Sequence, residues 1–374
     1  MHVLVVGGAG FIGSHLVDAL VARGDRVRVF DNLQPQVHGT HGQPSTYLNT
    51  GAEFVHGDVR DCEALRKAIQ GVEAIFYQAA AVGVGQSMYE VRRYVEVNTL
   101  GAANLLDILV NEQHTVQKVV VASSMSIYGE GKYHCATHGV VYPQLRSSAQ
   151  FAAGSWEPRC PREACNIPVT PLPTDEDKPL HPTSIYAITK RDHEEMFLCI
   201  GRAYGIPTVA LRYFNVYGPR QALSNPYTGV AAIFSARILN GHLPVIYEDG
   251  RQSRDFVHVS DIVQANLLAL GSDQANGEAV NVGTGQPVTV LEVAQRLSEH
   301  LGFDQPAEIT QRYRAGDIRH CFANITKARE LLGYEPQMPF AAGVQELTQW
   351  VAQQVAEDHV AQATQELWQR NLIQ

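Results

Sequence analysis

Apolar runs of strand length alternate with helical patterns through the first half of the chain. Residues 2–6 form the first run, and the apolar side chains of Leu16, Val17, Leu20 and Val21 then share one face of a helix. Later runs predict strands at 26–30, 52–58, 74–80, 118–124 and 207–212, with long helices over about 97–109 and 184–204. This alternation of strand and helix predicts an α/β fold built on a doubly wound parallel sheet.

The second half has a less regular pattern. It predicts helices at 230–239 and about 260–270, strands at 255–259 and 279–283, and an amphipathic helix from about Phe340 that is followed by a charged tail. We expect residues 216–374 to form mainly a smaller α/β lobe that closes over the carboxyl ends of the strands. Some of its segments would return to the larger domain, which residues 1–215 would form.

A glycine-rich turn follows the first predicted strand. Gly7, Gly10 and Gly13 form a G-x-x-G-x-x-G motif, which allows a tight turn and a close approach of the backbone to a pyrophosphate. Asp31 ends the second strand, where a carboxylate can accept both ribose hydroxyls of an adenosine and repel a 2′-phosphate. The pattern predicts a Rossmann-like domain that binds NAD rather than NADP, the alternative being a glycine-rich turn without a ligand.

Composition excludes several classes of partner. The chain has 374 residues, a net charge of -9 and a pI near 5.9, which argues against binding to nucleic acid or an anionic membrane. No apolar run is long enough to span a bilayer, and the N-terminal run is a predicted cofactor strand rather than a signal peptide. Six cysteines in a chain of this length do not indicate a disulfide scaffold, so we expect a reduced, cytoplasmic setting.

Tyr186 and Lys190 are four residues apart on a predicted helix, so their side chains lie on one face. A Lys ammonium beside a phenol favours the phenolate, and we expect it to lower the pKa of Tyr186 from about 10 towards neutrality. A tyrosine tuned in this way can exchange a proton with a sugar hydroxyl. Ser124 ends the strand predicted at 118–124, where its hydroxyl can bond the reacting oxygen and share its proton with Tyr186.

Five motifs together resemble the extended short-chain dehydrogenase/reductases. They are the glycine motif with Asp31, the strand end at Ser124, the Tyr186/Lys190 pair, and residues 211–220 and 254–259. The resemblance extends to about Pro336, and within this group the chain is similar to the NAD-dependent nucleotide-sugar epimerases and dehydratases. It implies an enzyme with NAD as cofactor, a nucleotide-diphosphate sugar as substrate, and a homodimer. The apolar helix faces at 98–110 and 186–199 would form the dimer contact or else be plain core.

The resemblance also implies roles for single residues. Ser124, Tyr186 and Lys190 would be catalytic. NAD would be bound by Gly7, Gly10, Phe11, Ile12, Gly13, Asp31, Asn32, Asp58, Val59, Gln78, Ala79, Ala80, Asn98, Tyr186, Lys190 and Tyr213. The substrate would be contacted by Ser124, Ser126, Asn215, Arg220, Arg254 and Arg314. Two guanidinium forks, at 254 and 314, suit the diphosphate, and residues near 245–247 would flank the base.

The resemblance narrows the reaction as well. In the 4,6-dehydratases of this family an Asp-Glu pair follows the catalytic hydroxyl residue, whereas Met125 and Ser126 stand here and cannot eliminate water. We therefore expect a 4-epimerase, in which Tyr186 removes the proton of the sugar 4-hydroxyl and hydride passes from C4 to NAD and back to the other face. The alternatives are a 4-dehydrogenase or 4-ketoreductase that releases NAD(H), a sugar-acid decarboxylase, and a non-catalytic NAD-sensing protein.

An insert of about residues 130–180 separates Ser124 from Tyr186. Its Cys135, His138, Cys160 and Cys165 could form a tetrahedral structural zinc site, the alternative being reduced thiols in a loop. With residues 225–230, the insert resembles that of the dTDP-L-rhamnose 4-epimerases. This implies dTDP-L-rhamnose and dTDP-6-deoxy-L-talose as substrates, a UDP-sugar being the alternative. The position of the insert predicts a lid over the sugar.

Overall fold

A seven-stranded parallel sheet forms the centre of the computed structural model, which describes residues 1–39, 43–314 and 316–373. The strands of the protein are β1 (His2–Val6), β2 (Arg26–Asp31), β3 (Glu53–His56), β4 (Ala74–Tyr77), β5 (Lys118–Ser124), β6 (Lys132–Cys135), β7 (Gly139–Val141), β8 (Thr170–Leu172), β9 (Thr208–Tyr213), β10 (Asn215–Tyr217), β11 (Val245–Ile246), β12 (Ser253–His258), β13 (Ala279–Val282), β14 (Pro287–Thr289), β15 (Glu308–Ile309) and β16 (His320–Cys321). The central sheet has the order β3-β2-β1-β4-β5-β9-β13, with all neighbours parallel. The predicted doubly wound α/β fold is confirmed.

The helices of the chain cover both faces of this sheet, pack in the smaller lobe or lie in the insert. They are α1 (Phe11–Ala22), α2 (Pro35–His38), α3 (Cys62–Ala68), α4 (Val84–Ser87), α5 (Val91–Tyr94), a π-helix (Val95–Leu100), α6 (Gly101–Asn111), a 3₁₀ turn (Met125–Tyr128), α7 (Ser148–Ala152), α8 (Ile185–Tyr204), α9 (Val230–Leu239), α10 (Val259–Gly271), α11 (Val290–Leu301), α12 (Thr326–Leu332), α13 (Phe340–Val351) and α14 (Val360–Gln369). No helix in the described ranges is long and apolar enough to cross a membrane.

Burial on both faces explains why the sheet strands read as continuous apolar runs. Val3 and Val5 of β1 point to a core with α1, α10 and α12, whereas Leu4 and Val6 point to a second core with α3, α6 and α8. Residues in these cores are almost entirely removed from water. The strand order reverses between β1 and β4, and the crevice at such a reversal is where α/β sheets bind ligands.

Local signals fix the long helix α8, which carries the Tyr186/Lys190 pair. The Ser184 side chain accepts a hydrogen bond from the Ala187 N–H at 3.1 Å, so it caps the first turn. Gly205 ends the helix in the left-handed conformation, with φ of 67°. The predicted helix at about 184–204 therefore matches the structure.

A smaller α/β lobe follows β10, as predicted. Strand β12 pairs with β10, β14 and β16, β11 pairs with β15, and α9, α11 and α13 pack on them around a core of their own. β13 leaves the lobe and joins the edge of the central sheet beside β9. The division at residue 215 stays a prediction, because segments of the second half contribute to both bodies.

The insert is a small antiparallel sheet, β7-β6-β8, with its own apolar cluster. Charged side chains join the insert to the lobe, and Arg146, Glu248 and Arg319 among them are buried. We use the name Arg319 cluster for these three residues together with Glu157 of the insert and Asp249 of the lobe. Arg146 donates to Glu248 at 2.8 Å, and the fully buried Arg319 donates to Glu157, Glu248 and Asp249 at 2.7–2.9 Å. Because none of the described residues of the insert lines the main cleft, the prediction of a lid in this position is wrong.

Two elements differ from the sequence prediction. The helix expected from about 97 begins as a π-helix, Val95–Leu100, before α6. The segment expected to be a charged tail contains α14 instead. Val360, Ala363 and Leu367 recur at helical spacing within it, so the apolar pattern was present but was masked by the polar residues around it.

Candidate active site

A cleft of about 790 Å³ lies at the carboxyl ends of β1, β4, β5 and β9, between the sheet and the lobe. We call its side formed by residues 7–13, 31–32 and 78–80 the cofactor wall. The side that takes its lining residues from 215–217, 221–230, 245–254, 314, 316–318 and 360–367 is the substrate wall. Ser124, Tyr186 and Lys190 lie where the two walls meet.

The glycine turn of the cofactor wall tolerates no side chain at Gly7. Gly7 has a φ of +81°, and a Cβ placed there would lie 2.7 Å from the backbone nitrogen of Ala79. Gly10 precedes α1 and caps it with no side chain, and the first turn of α1 has no acidic residue. The amide groups at this helix end are therefore free to bind an anion such as a pyrophosphate.

Asp31 holds a carboxylate at the far end of the cofactor wall. It is 8% exposed and accepts hydrogen bonds from the Ala9 and Leu33 N–H groups at 3.0 and 2.9 Å. Each carboxylate oxygen keeps lone pairs for further donors. An uncapped helix end with a carboxylate at the next strand end fits the pyrophosphate and adenosine ribose of NAD.

Ser124 and Tyr186 meet at the carboxyl end of β5. The Ser124 hydroxyl accepts hydrogen bonds from Ser126, from its hydroxyl at 3.0 Å and from its N–H at 3.2 Å. Burial raises the pKa of Tyr186, and a hydrogen bond with Ser124 lowers it in part. The Tyr186 N–H donates to the Ser87 hydroxyl at 3.0 Å, which ties α8 to α4.

Lys190 does not act on Tyr186 as predicted. Its ammonium donates to the backbone carbonyl of Ala122 and lies 3.4 Å from Nδ1 of His193. Burial lowers the pKa of Lys190 to about 7, against the attraction of Glu194. The expected lowering of the Tyr186 pKa by Lys190 is wrong for this structure, because desolvation of the phenol outweighs its hydrogen bond.

Two of the predicted cofactor residues stand behind the cleft rather than in its lining. Asn98 is buried and bonds the N–H and the carbonyl of Ala81 and the hydroxyl of Thr189, so it fixes the loop after β4 against α8. Asp58 forms an ion pair with Arg60 at 2.7 Å, which lowers the pKa of its carboxyl, and accepts from Asn32. Asp58 thereby orients Asn32, which does line the cleft.

The three predicted substrate arginines have different surroundings. Arg254 lines the cleft and donates only to the carbonyls of residues 253, 318 and 319, so its charge meets no carboxylate in the described part of the chain. Arg314 also lines the cleft, and it pairs with Asp317 at 2.9 Å and lies over the Tyr247 ring. Arg220 is not in the lining and pairs with Asp18 at 2.7 Å. Of the three arginines, Arg254 is therefore the one whose positive charge most needs an anionic partner.

The other predicted residues of the site come together in the cleft lining. They are Gly7, Gly10, Phe11, Ile12, Gly13, Asp31, Asn32, Val59, Gln78, Ala79, Ala80, Ser124, Ser126, Tyr186, Lys190, Tyr213 and Asn215. The sequence prediction missed Val84, Tyr227, Ala363 and Leu367, which line the cleft too. Of these four, only Ala363 and Leu367 could have been predicted, from the helical spacing of the apolar residues in α14.

The four metal-ligand candidates of the insert also come together. Nδ1 of His138 lies 3.5 Å from the sulfurs of Cys135 and Cys160, and the sulfurs of Cys135 and Cys165 are 3.9 Å apart. All four ligand atoms lie within 4.8 Å of one another, and all six cysteines of the chain are free thiols. This group lies outside the cleft lining, so it has no part in the chemistry there.

Known proteins match along most of the chain. The family described as "NAD dependent epimerase/dehydratase family" matches residues 3–283. The chain is 35% identical over 356 residues to dTDP-L-rhamnose 4-epimerase of Burkholderia thailandensis, covering 94% of this chain and 95% of that protein. The structure of UDP-glucose 4-epimerase from Thermotoga maritima with UDP-glucose matches with a TM-score of 0.75 at 31% identity, covering 94% and 99% of the two chains. That of Thermus thermophilus UDP-glucose 4-epimerase in complex with NAD matches with a TM-score of 0.74 at 31% identity, covering 95% and 100%.

Proposed function

This chain belongs to the NAD dependent epimerase/dehydratase family, as its motifs predict, and on that premise we propose that it is an NAD-dependent nucleotide-sugar 4-epimerase. The observation that carries the proposal is that Ser124, Tyr186 and Lys190 line the same cleft as the glycine turn and Asp31. A proton-transfer group beside a dinucleotide site is what reversible oxidation of a sugar hydroxyl requires.

Tyr186 exchanges the proton of the sugar 4-hydroxyl in this proposal. Ser124 bonds the same oxygen and, with Ser126 donating to it, is held in place for that contact. Lys190, whose ammonium donates to the Ala122 carbonyl and which lines the cleft, would hold the nicotinamide ribose. NAD, when bound, would supply the group that accepts a hydride from C4 of the sugar and gives it back.

The surroundings of Ser124 favour epimerisation over dehydration. Met125 is buried and has no proton to transfer, and the hydroxyl of Ser126 is engaged with Ser124. Elimination of water needs a general acid and a general base at these positions. Arg254 and Arg314 supply the charge for a diphosphate, which every nucleotide sugar carries.

The substrate we propose is dTDP-L-rhamnose, interconverted with dTDP-6-deoxy-L-talose. The Burkholderia relative named for this activity and the cysteine-bearing insert support it. A UDP-sugar is the alternative, supported by the similarity to the Thermotoga UDP-glucose 4-epimerase.

The test is an assay of purified protein with dTDP-L-rhamnose and, separately, UDP-glucose, without added NAD, followed by NMR of the sugar. We expect the dTDP-sugar to be converted to its C4 epimer by cofactor that stays bound through purification. Conversion of UDP-glucose alone would show that the substrate is a UDP-sugar and would leave the proposed reaction unchanged. Turnover that needs stoichiometric NAD would contradict the epimerase proposal and favour a dehydrogenase or 4-ketoreductase.

We also propose that Cys135, His138, Cys160 and Cys165 bind a structural zinc ion. In a tetrahedral site with Zn–S of about 2.3 Å, neighbouring sulfurs are roughly 3.8 Å apart, close to the 3.9 Å between Cys135 and Cys165. Four protein ligands leave no open position for catalysis. The ion would cross-link the three-stranded sheet of the insert, whose apolar core contains few residues.

Zinc content can be measured by elemental analysis of protein purified without chelators. We expect about one zinc ion per chain, lost in Cys160→Ser together with a fall in Tm. Cys199→Ser is the matched control, since Cys199 is exposed and outside the cluster. Zinc-free wild-type protein that takes up no added zinc would overturn this proposal.

A homodimer is the proposed assembly. Val91, Val95, Leu100 and Ile188 are 42–48% exposed on neighbouring helical segments, including the helices for which a dimer contact is predicted. Sedimentation velocity should give a dimer, and Leu100→Asp should dissociate it. A monomeric wild-type protein at assay concentration would contradict the assembly.

A further inference from the structure

Helix α14 presents an apolar face to the cleft. Val360, Ala363 and Leu367 share this face and line the cleft. Leu367 is 6% exposed and packs beside Gly85 in α4, since a Cβ placed on Gly85 would lie 3.3 Å from a Leu367 methyl group. The helix therefore contacts the part of the sheet domain that precedes the catalytic helix, although it belongs to the last residues of the chain.

Glu366 joins this helix to both sides of the cleft. Its carboxylate accepts hydrogen bonds from the hydroxyls of Tyr89, at 2.9 Å, and Tyr227, at 3.0 Å, and these hydroxyls are 2.6 Å apart. Tyr89 follows α4, whereas Tyr227 belongs to the lobe. The guanidinium of Arg370 lies 4.2 Å from the centre of the Tyr89 ring. We call Glu366, Tyr89, Tyr227 and Arg370 the Glu366 latch.

The segment 353–373 is anchored at both ends by a few contacts. Asp358 accepts from Arg237 at 3.2 Å and from His242 at 2.7 Å. Ile373 forms a single antiparallel bridge with Arg314, which lines the cleft.

Little apolar area holds the segment down. Its buried side chains are Ala363, Leu367 and Ile373, and a Leu or Ile contributes about 1.5–3 kcal/mol when buried. An element with so few buried contacts can detach locally while both sheet cores stay folded. Asp358, whose side chain is 4% exposed and paired with Arg237, holds the start of the segment, whereas the hydrogen bonds of the half-buried Glu366 can be replaced by water.

We propose that residues 353–373 form a strap that opens to admit the nucleotide sugar and closes with Leu367 against the sugar ring. Leu367 is then a positioning residue, and the Glu366 latch sets how long the strap stays closed. The proposal rests on the proposed function, since a 4-keto sugar must turn over inside the cleft without escaping. A closed strap retains that intermediate and excludes water.

Hydrogen exchange of the whole protein tests the strap without turnover. The probes are UDP and UDP-glucose, and dTDP and dTDP-L-rhamnose. We expect a nucleotide sugar to slow exchange in 353–373 more than its nucleoside diphosphate does. Equal exchange in this segment with and without every probe would overturn the proposal. Slowed exchange without epimerisation of either sugar would support the strap and count against the proposed function.

Kinetics of point variants test Leu367 and the latch. Leu367→Ala should raise KM roughly tenfold, the loss expected for a small apolar contact, with a smaller change in kcat. Glu366→Ala should let the 4-keto sugar escape, so that reduced cofactor accumulates on the enzyme. Gln365→Ala, on the exposed side of the same helix, should behave as wild type.

The variants also separate positioning from folding. Glu366→Gln keeps an acceptor oxygen and should accumulate less reduced cofactor than Glu366→Ala. If Leu367→Ala and both Glu366 variants match Gln365→Ala in KM and in reduced cofactor, the proposal is wrong.

Discussion

The cofactor wall and the substrate wall of the cleft are assembled in different ways. The cofactor wall takes its residues from strand ends that meet at one edge of a parallel sheet, and each lies in a short motif. The substrate wall collects residues from 215 to 367, including a helix near the end of the chain. A wall built on a regular sheet can be predicted from sequence motifs, whereas a wall assembled from separate segments depends on tertiary packing.

Replacing Tyr186 by Phe should impair the chemical step without changing either wall of the cleft. It is the variant for which we predict the largest effect on turnover. The ring stays in place while the exchangeable proton is lost, so turnover should fall by about 10²–10⁴-fold. Cofactor released from denatured protein should be unchanged, because the cofactor wall is intact. Unchanged turnover in Tyr186→Phe would refute the mechanism.

Arg254→Lys should damage the substrate wall alone. Lysine keeps the charge but loses the fork, and a hydrogen bond to a charged group contributes about 1.5–3 kcal/mol, so KM should rise roughly 10–100-fold. Initial rates over a range of nucleotide-sugar concentrations measure this. Arg251→Lys is the control, since that side chain is exposed and outside the cleft lining. Equal KM values for the two variants would show that Arg254 does not bind the substrate.

Asp31→Asn should weaken the cofactor wall alone. The amide oxygen can still accept a backbone N–H, but the negative charge is lost, so NAD affinity should fall about tenfold. Discrimination against NADP should fall too, because repulsion of its 2′-phosphate is removed. Calorimetric titration of cofactor-stripped protein measures both affinities. Retained preference for NAD would show that another group selects the cofactor.

Lys190→Met should stabilise the cofactor-stripped protein while lowering turnover. An unfolded lysine has a pKa of 10.5, whereas burial lowers the pKa of Lys190 to about 7. Between these values the unfolded chain binds the extra proton, so Lys190 costs stability, fully below pH 7 and not at all near pH 10.5. We expect the Tm of the variant to exceed that of wild type by a few degrees at pH 7. The difference should shrink by pH 9, and a constant difference would contradict this origin.

The same contrast explains what could be predicted from the sequence. The strands, α8 and the meeting of Ser124 with Tyr186 follow from local patterns and from the geometry of parallel sheets. The bond of Lys190 to the Ala122 carbonyl could not be predicted, because spacing puts Lys190 on the right helix face without naming its partner. Arg220 and Arg254 look alike in sequence, and only packing gives the first an Asp18 partner and leaves the second, among the described residues, with carbonyl partners alone.

The Arg319 cluster makes the insert inseparable from the rest of the chain. Excision of residues 130–180 would take Arg146 from Glu248 and Glu157 from Arg319. Breaking a buried pair from one side costs about 3–5 kcal/mol, and the loss here would be smaller because Glu248 keeps its pair with Arg319. The insert is therefore not a free module. A chimera that receives the insert should fold only if it also receives the lobe side of the cluster.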